Sequence, residues 1–483
     1  MTTDPYQTAG HIAASIRRRE ISAVEVLEAQ IARIEKLNPA LNAIVTLDLE
    51  AARHRSLEAD AALRHEQLWG PLHGVPITIK DSFETAGLRT VSGYPPFAQR
   101  IPAEDAPPVR RLRQAGAIIM GKTNLPTLAS GIQTNNPVFG RTNNPWDLQR
   151  TPGGSSGGAA AAIAAGLSYL ELGSDIGGSI RIPAHFCGVY GLKATGGRIS
   201  GKGHLASPRR LVVPPGWEAL LQLASFGPLA RSIDDLRLCL TVLNEPPAPP
   251  LDQPPARSLS ELRIAWSDDF GGAPLEAGSR QMIGVLAGSL ERLGCHVERR
   301  DPDCFDFQEA WYLSGVCLGA INTLFQAPFT RWLRRLRAPL LSILGPRDAL
   351  IQGLYTGLSM RPSRIQDALQ KRQALIERLE SFFDAWDAWV CPVFPGPAFT
   401  HRAPDAPIEV DGQQVSQLKA NLLHSILFNL TGHPVVTIPV GISSQGLPLG
   451  VQIVGRKWQE MRLLDTAGLV ATLTPGFQRP PGY

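Results

Sequence analysis

The sequence predicts an α/β fold in which a mixed central β-sheet is surrounded by helices. Short apolar runs, typical of buried strands, occur at 75–79, 117–120 and 435–440. Segments with the apolar spacing of helices alternate with these runs, which is the pattern of an α/β domain. The 46 glycines and 41 prolines indicate many turns in a globular chain of 483 residues.

The first long helix is predicted by its start signal and its periodicity. Ser22 and Glu25 fit a capping box, in which each residue's side chain bonds to the backbone of the other. Apolar residues then recur at helical spacing from Val24 to Ile34. We therefore expect an amphipathic helix over residues 22–37.

A proline-rich stretch at 246–255 interrupts the alternating pattern and predicts a linker or surface excursion. A strand at 262–266 and a helix at 281–293 are expected beyond it. The predicted organisation has three parts: a core over 1–245, a helical covering region over 256–425 that shapes the substrate pocket, and C-terminal strands and a helix over 426–483 that return to the core.

Bulk properties narrow the possible partners and the compartment. A net charge of +4 is small for this length and argues against a protein that binds nucleic acid by neutralising phosphates. The six cysteines are scattered without the spacing of a metal site, so we expect reduced thiols. Without a leader-like start or a run of 18 apolar residues, we expect a cytoplasmic protein with no stable membrane insertion.

Two glycine-bounded serine motifs are the strongest signal of chemistry. Ser155 lies inside the Gly-Gly-Ser-Ser-Gly-Gly run at 153–158, and Ser179 follows two further glycines. Either motif alone would predict a flexible loop. A serine beside a proton acceptor becomes a nucleophile, however, and Lys80, directly after the apolar run 75–79, is the candidate acceptor in a Ser-Lys variant of the Ser-His-Asp arrangement.

This combination resembles the amidase signature family. The resemblance rests on the Gly/Ser-rich block at 153–183 and on the upstream strand lysine, and it covers essentially the whole chain, more weakly between about 250 and 420. Further matching segments are 122–126 (KTNLP), 187–193 (CGVYGLK), 429–434 (NLTGHP) and 446–452 (GLPLGVQ). Ala194 departs from the family's usual proline, which we expect to change a turn and not the chemistry.

The resemblance implies Ser179 as the nucleophile and a cis peptide bond before Ser155. A hydroxyl can donate and accept a hydrogen bond at once, so we expect Ser155 to relay the proton between Ser179 and Lys80. Burial among apolar neighbours should keep Lys80 neutral enough to act as the base. Two further sets of residues are predicted: an oxyanion hole formed by the N–H groups of Ile176, Gly177 and Gly178, and, carried over from the family, Ala129 as a substrate-binding position.

The predicted function is hydrolysis of a carboxamide through a Ser179 acyl-enzyme, with a small-molecule amide substrate and without metal or organic cofactor. Two alternatives remain open: an acyltransferase that forms amides, and the glutaminase subunit of a tRNA-dependent amidotransferase. A pseudoenzyme is disfavoured because all three catalytic side chains are present. Direct nucleic-acid binding is not expected, and a homodimer is possible.

An arginine-rich stretch at 331–347 is the least typical part of the sequence. Five arginines alternate with tryptophan and leucine residues, and no acidic residue occurs from 310 to 347. A solvated helix is the default interpretation. The alternatives are that the stretch binds an anionic substrate, an acidic carrier protein or a membrane surface. We expect it to line or flank the mouth of the substrate pocket.

Overall fold

The computed structural model describes residues 4–205, 213–303, 305–324, 348–360, 365–404 and 406–483. The helices in the described ranges are α1 (Ala9–Arg17), α2 (Ala23–Leu41), α3 (Leu49–Arg64), α4 (Pro107–Gln114), α5 (Gly157–Ala164), α6 (Arg181–Cys187), α7 (Glu218–Leu221), α8 (Ile233–Leu243), α9 (Ala277–Arg292), α10 (Phe307–Leu324), α11 (Ala349–Ser359), α12 (Ile365–Ala385), α13 (Gln417–Leu422), α14 (Ile426–Leu430) and α15 (Glu460–Ala471). Short 3₁₀ turns lie at Pro95–Phe97, Thr127–Ala129, Leu259–Glu261 and Phe270–Gly272.

Eleven of the strands form one mixed sheet, as the sequence predicts, and two short hairpins complete the set. The strands are β1 (Ile44–Leu47), β2 (Pro76–Lys80), β3 (Ile118–Thr123), β4 (Asn135–Asn136), β5 (Gly140–Arg141), β6 (Glu171–Asp175), β7 (Tyr190–Lys193), β8 (Ser225–Ala230), β9 (Arg263–Trp266), β10 (His296–Arg299), β11 (Ala388–Pro392), β12 (Ile408–Val410), β13 (Gln413–Val415), β14 (Val435–Ile442) and β15 (Pro448–Val454). The sheet order is β1-β3-β2-β6-β8-β7-β14-β15-β11-β9-β10.

The centre of this sheet is buried on both faces. Strand β2 pairs in parallel with β3 on one side and β6 on the other, whereas β6 pairs antiparallel with β8. Every residue of β2, β3 and β6 is buried. Long apolar runs are typical of strands covered on both faces. A polar side chain on these strands therefore lies in the interior and needs a partner there.

The predicted local elements are confirmed, with small shifts in their ends. Helix α2 begins after Ser22, which forms the complete capping box with Glu25, and extends four residues past the predicted end. The apolar runs correspond to β2, β3 and β14, and the strand and helix predicted beyond the linker correspond to β9 and α9. Residues 246–255 contain neither helix nor strand.

The middle of the chain contributes to the sheet as well as to helices. Strand β9 pairs in parallel with β10 and β11, and β11 joins the sheet through β15. The predicted division at 245, 256 and 425 stays a prediction. The arginine-rich stretch at 331–347 lies outside the described residues.

Helices α10 and α11 pack with their backbones in close approach. A Cβ added at Gly315 would lie 2.1 Å from the Leu350 carbonyl oxygen, and one added at Gly353 would lie 2.0 Å from the Tyr312 carbonyl oxygen. Gly319 and Gly357 repeat the same relationship one turn further along. Small residues at this spacing allow the two helix backbones to touch. Among the described helices, none combines the length and apolar character needed to cross a bilayer.

The packing predicts that Gly315→Ala destabilises the protein by about 2 kcal/mol, because the new methyl group meets main-chain atoms that cannot rotate away. Gly284→Ala is the matched control: it also replaces a helical glycine, in α9, but its Cβ meets no atom within 4 Å. The control should gain about 0.5 kcal/mol from helix propensity. Urea denaturation of both variants measures the difference, and equal stabilities would contradict the close approach.

Candidate active site

Lys80 is the last residue of β2, and its amine lies inside the protein surrounded by serine hydroxyls. The side chain is fully buried. Its Nζ lies 2.7 Å from Ser155 Oγ, 2.9 Å from Ser156 Oγ and 2.9 Å from Ser174 Oγ. The structure thus brings together two of the predicted catalytic residues, Lys80 and Ser155.

Burial governs the protonation of this amine. Desolvation lowers the pKa of Lys80 to about 7, although the Asp175 and Glu171 carboxylates favour the ammonium form and oppose the change. Taking a charged amine out of water disfavours the charge, so a substantial neutral fraction exists near pH 7. A neutral amine has a lone pair that can accept a proton from one of the surrounding hydroxyls.

The two serine motifs lie against each other. The Gly154–Ser155 peptide bond is cis, as the resemblance implies. Ser156 N–H donates to the Ser179 carbonyl oxygen at 3.0 Å, just before α5 begins. Ser179 is 9% exposed. Within the described part of the chain, its hydroxyl makes no hydrogen bond to protein, so it is available to a substrate.

The loop that carries Ser179 is held by a buried ion pair. Arg181 Nη2 lies 2.8 Å from Asp175 Oδ1, and both side chains are fully buried. Burial alone would raise the pKa of Asp175, but Arg181 and the N–H of Ile180 hold it well below its usual range. The carboxylate also accepts from Ile180 N–H at 3.0 Å, directly before α6 begins. Ser179 lies two residues before the first residue of α6.

Distant parts of the chain complete the support of this loop. Arg181 also donates to Asn429 Oδ1 at 2.6 Å and to Gln452 Oε1 at 3.0 Å. Asn429 Nδ2 donates to the Asp175 carbonyl oxygen at 2.9 Å. The C-terminal segments thus fix the position of the serine loop through a hydrogen-bonded network that has no exposed member.

The predicted oxyanion donors lie in this loop. Gly178 has φ +96°, which suits glycine, and its N–H donates to Asp175 Oδ1 at 2.9 Å. In the described structure, the N–H groups of Ile176, Gly177 and Ser179 have no protein acceptor. These three amides are therefore the free donors of the turn, whereas the Gly178 N–H is already bonded to Asp175. The oxyanion hole of Ile176, Gly177 and Gly178 stays a prediction.

Ala129 lies in a turn next to the Gly/Ser motif. It is half-buried at the end of a 3₁₀ turn and has φ 57°. Two residues later, the Gly131 carbonyl oxygen would lie 2.6 Å from a Cβ added at Gly154. The turn thus runs beside the Gly/Ser motif, and the substrate-binding role of Ala129 stays a prediction.

Sequence reasoning missed four residues of this site. Ser156 and Ser174 bond to the lysine amine, and Asp175 and Arg181 hold the serine loop. All four lie inside the glycine-rich block at 153–183, so their closeness in sequence to Ser155 and Ser179 was the feature that could have identified them. The described residues contain no group of three or more metal-ligating side chains placed to hold an ion.

Comparison with known proteins finds relatives that match nearly the whole chain. A family model described as Amidase matches residues 25–464. A Mycobacterium bovis protein that carries the name amidase AmiB2 is 37% identical over 479 residues, covering 95% of each chain. A glutamyl-tRNA(Gln) amidotransferase subunit from Moorella thermoacetica is 32% identical over 507 residues, covering 99% of this chain and 98% of that protein.

Solved structures show the same fold. The structure of 6-aminohexanoate cyclic dimer hydrolase matches with a TM-score of 0.79 at 29% identity, covering 99% of each chain. A bacterial aryl acylamidase of the amidase signature family matches with a TM-score of 0.81 at 23% identity, which speaks for the fold alone. The chain belongs to the amidase signature family.

Proposed function

We propose that this enzyme hydrolyses a small-molecule carboxamide through an acyl-enzyme on Ser179, with Ser155 and Lys80 moving the proton. The observation that carries the proposal is the fully buried Lys80 amine at 2.7 Å from Ser155 Oγ. A base with a pKa near the working pH is the most effective proton acceptor. Burial supplies that pKa here without a metal ion or an organic cofactor.

The proton path follows from the hydroxyl between the two groups. Neutral Lys80 accepts the proton of Ser155, and Ser155 accepts the proton of Ser179 as Ser179 attacks the amide carbon. The oxyanion that forms is stabilised by free N–H groups of the turn at 176–179. The same path then returns a proton to the leaving nitrogen. In the second half of the reaction, water attacks the acyl-enzyme and passes its proton to Lys80, and Ser179 takes back a proton as the acid is released.

Linear amides outside peptides are the substrate class that we propose. The 37% identity to a protein that carries the name amidase AmiB2 supports an amidase reaction. We further propose that the enzyme acts in the cytoplasm, alone or as a homodimer. A panel of aryl, short-chain and long-chain amides, followed by ammonia or amine release, tests the class.

Transfer of the acyl group or of ammonia to another acceptor is the second candidate. The 32% identity to a glutamyl-tRNA(Gln) amidotransferase component supports it. Release of ammonia from simple amides by the isolated chain favours the hydrolase. Glutaminase activity that appears only with co-purified subunits favours the amidotransferase, and faster product formation with added amines favours the acyltransferase.

Ser179→Ala should lower kcat on the order of 10⁴-fold or more, since water cannot replace a positioned nucleophile. The fold should survive because the hydroxyl bonds to no protein group in the described structure. Steady-state assays of the purified variant, with circular dichroism as the control, measure this. Near wild-type turnover in a folded variant would refute the acyl-enzyme.

Lys80→Met should be about as damaging as Ser179→Ala, and Ser155→Ala somewhat less so. The three residues act as one unit, so the triple variant should be little slower than the slowest single variant. Lys193→Met is the matched control: Lys193 is also fully buried with a pKa lowered to about 7 by burial, but it bonds to Ser225 and not to the site serines. A folded control as inactive as Lys80→Met, or multiplicative losses, would contradict the assignment.

Activity should rise with pH through an apparent pKa of about 7, because the base must be neutral and Lys80 loses its proton in that range. EDTA should leave the activity unchanged. The measurement is kcat/KM from pH 5 to 9 on a neutral amide. A profile that falls with pH in folded enzyme, or inhibition by EDTA that added metal reverses, would contradict a lysine base.

A further inference from the structure

Glu171 is a buried carboxylic acid that the proposed mechanism does not use. It begins β6 in the centre of the sheet and is 1% exposed. Neither carboxyl oxygen has a hydrogen-bond partner of normal geometry among the described residues, and the same holds for the hydroxyls of Thr78 and Thr123. The Thr78 and Thr123 hydroxyls act on the carboxyl only as weak hydrogen-bond donors, and a buried acid bonded so weakly is costly, so a role for this cluster is expected.

The strand register places the cluster beside the catalytic lysine. Thr78 pairs with Glu171 across β2 and β6, and Lys80 pairs with Thr123 across β2 and β3. Paired residues of parallel strands project from the same face, as do residues two apart along a strand. Lys80, Thr78, Thr123 and Glu171 therefore share one face of three adjacent strands.

We propose that Glu171 is a positioning residue that sets the proton affinity of Lys80 from the neighbouring strand. An ionised carboxylate buried near the amine stabilises the ammonium that forms when Lys80 takes the serine proton. A neutral carboxyl gives no such help and lets the amine rest uncharged. The inference rests on the proposed role of Lys80 as the base.

The electrostatics of the two groups are matched. Burial raises the pKa of Glu171 to about 7, opposed by the threonine hydroxyls and by Lys122 and Lys80. Glu171 in turn raises the pKa of Lys80, which burial lowers to about 7. Each of the two groups therefore influences the charge of the other near neutral pH.

Other groups also face this pair. Asp175, at the end of β6, raises the pKa of Lys80. The Lys80 charge in turn lowers the pKa of His204, which lies in a loop. Lys122 on β3 acts on Glu171. Only two carboxyls act on the Lys80 amine among the described residues, and Asp175 is already paired with Arg181, so Glu171 is the one of the two whose charge can change near neutral pH.

The test is the pH dependence of kcat/KM for Glu171→Gln. Removing the negative charge should lower the Lys80 pKa, so the acidic limb should move to lower pH by about one unit. Because the base is weaker, kcat/KM on the high-pH plateau should fall about threefold to tenfold. Glu171→Asp keeps the charge and should restore the limb toward the wild-type position. If Glu171→Gln does not fold, Glu171→Leu, whose side chain needs no polar partner, gives the same measurement.

Asp235→Asn is the matched control. Asp235 is also a buried acid, at 1% exposure, whose pKa is raised by burial, but it lies on α8 and accepts from the N–H groups of Ala9 and Gly10. Its limb should stay at the wild-type pH. An unmoved limb in Glu171→Gln, or an equal shift in the control, overturns this inference. Activity in Lys80→Met would instead overturn the proposed base itself.

Discussion

Desolvation of one lysine amine is the constraint on which this site depends. Lys80 ends a strand with both faces covered, so water cannot reach its Nζ. Three serine hydroxyls satisfy the amine without fixing a positive charge on it. A carboxylate in direct contact would hold the ammonium form, and an apolar pocket would leave the amine without partners. Hydroxyl groups avoid both outcomes and provide a path for a proton.

One of the two carboxylates that act on the Lys80 amine, Asp175, is also bonded to other groups. Asp175 pairs with Arg181 and accepts from the N–H groups of Gly178 and Ile180, which fixes the turn that carries Ser179. Breaking such a buried pair would leave an uncompensated charge, typically at a cost of about 3 to 5 kcal/mol. The network continues to Asn429 on α14, so the C-terminal part of the chain supports the nucleophile loop. The central sheet, the Asp175–Arg181 ion pair and Lys80 are therefore parts of one connected structure.

The sequence predicted the parts of the site that are encoded locally. Apolar neighbours placed Lys80 on a buried strand, and the glycine-bounded motif identified Ser155, which contacts it. Partners that are distant along the chain were not predictable: Gln452 bonds to Arg181 across 271 residues. The contact of Asp175 with Ile180 N–H, directly before α6, was also not predicted. Likewise, β9 was predicted as a strand, but its pairing with β11, more than 100 residues later, depends on tertiary packing.

The most direct measurement is the pH dependence of covalent labelling by a fluorophosphonate probe, with the modified peptide located by mass spectrometry. The probe reports the reactivity of the nucleophile without requiring knowledge of the natural amide. We predict a single label on Ser179, a labelling rate that rises through an apparent pKa of about 7, and loss of labelling in Lys80→Met. Labelling of a different serine, or a rate on Ser179 that is independent of both pH and Lys80, would contradict a nucleophile activated by a buried neutral lysine.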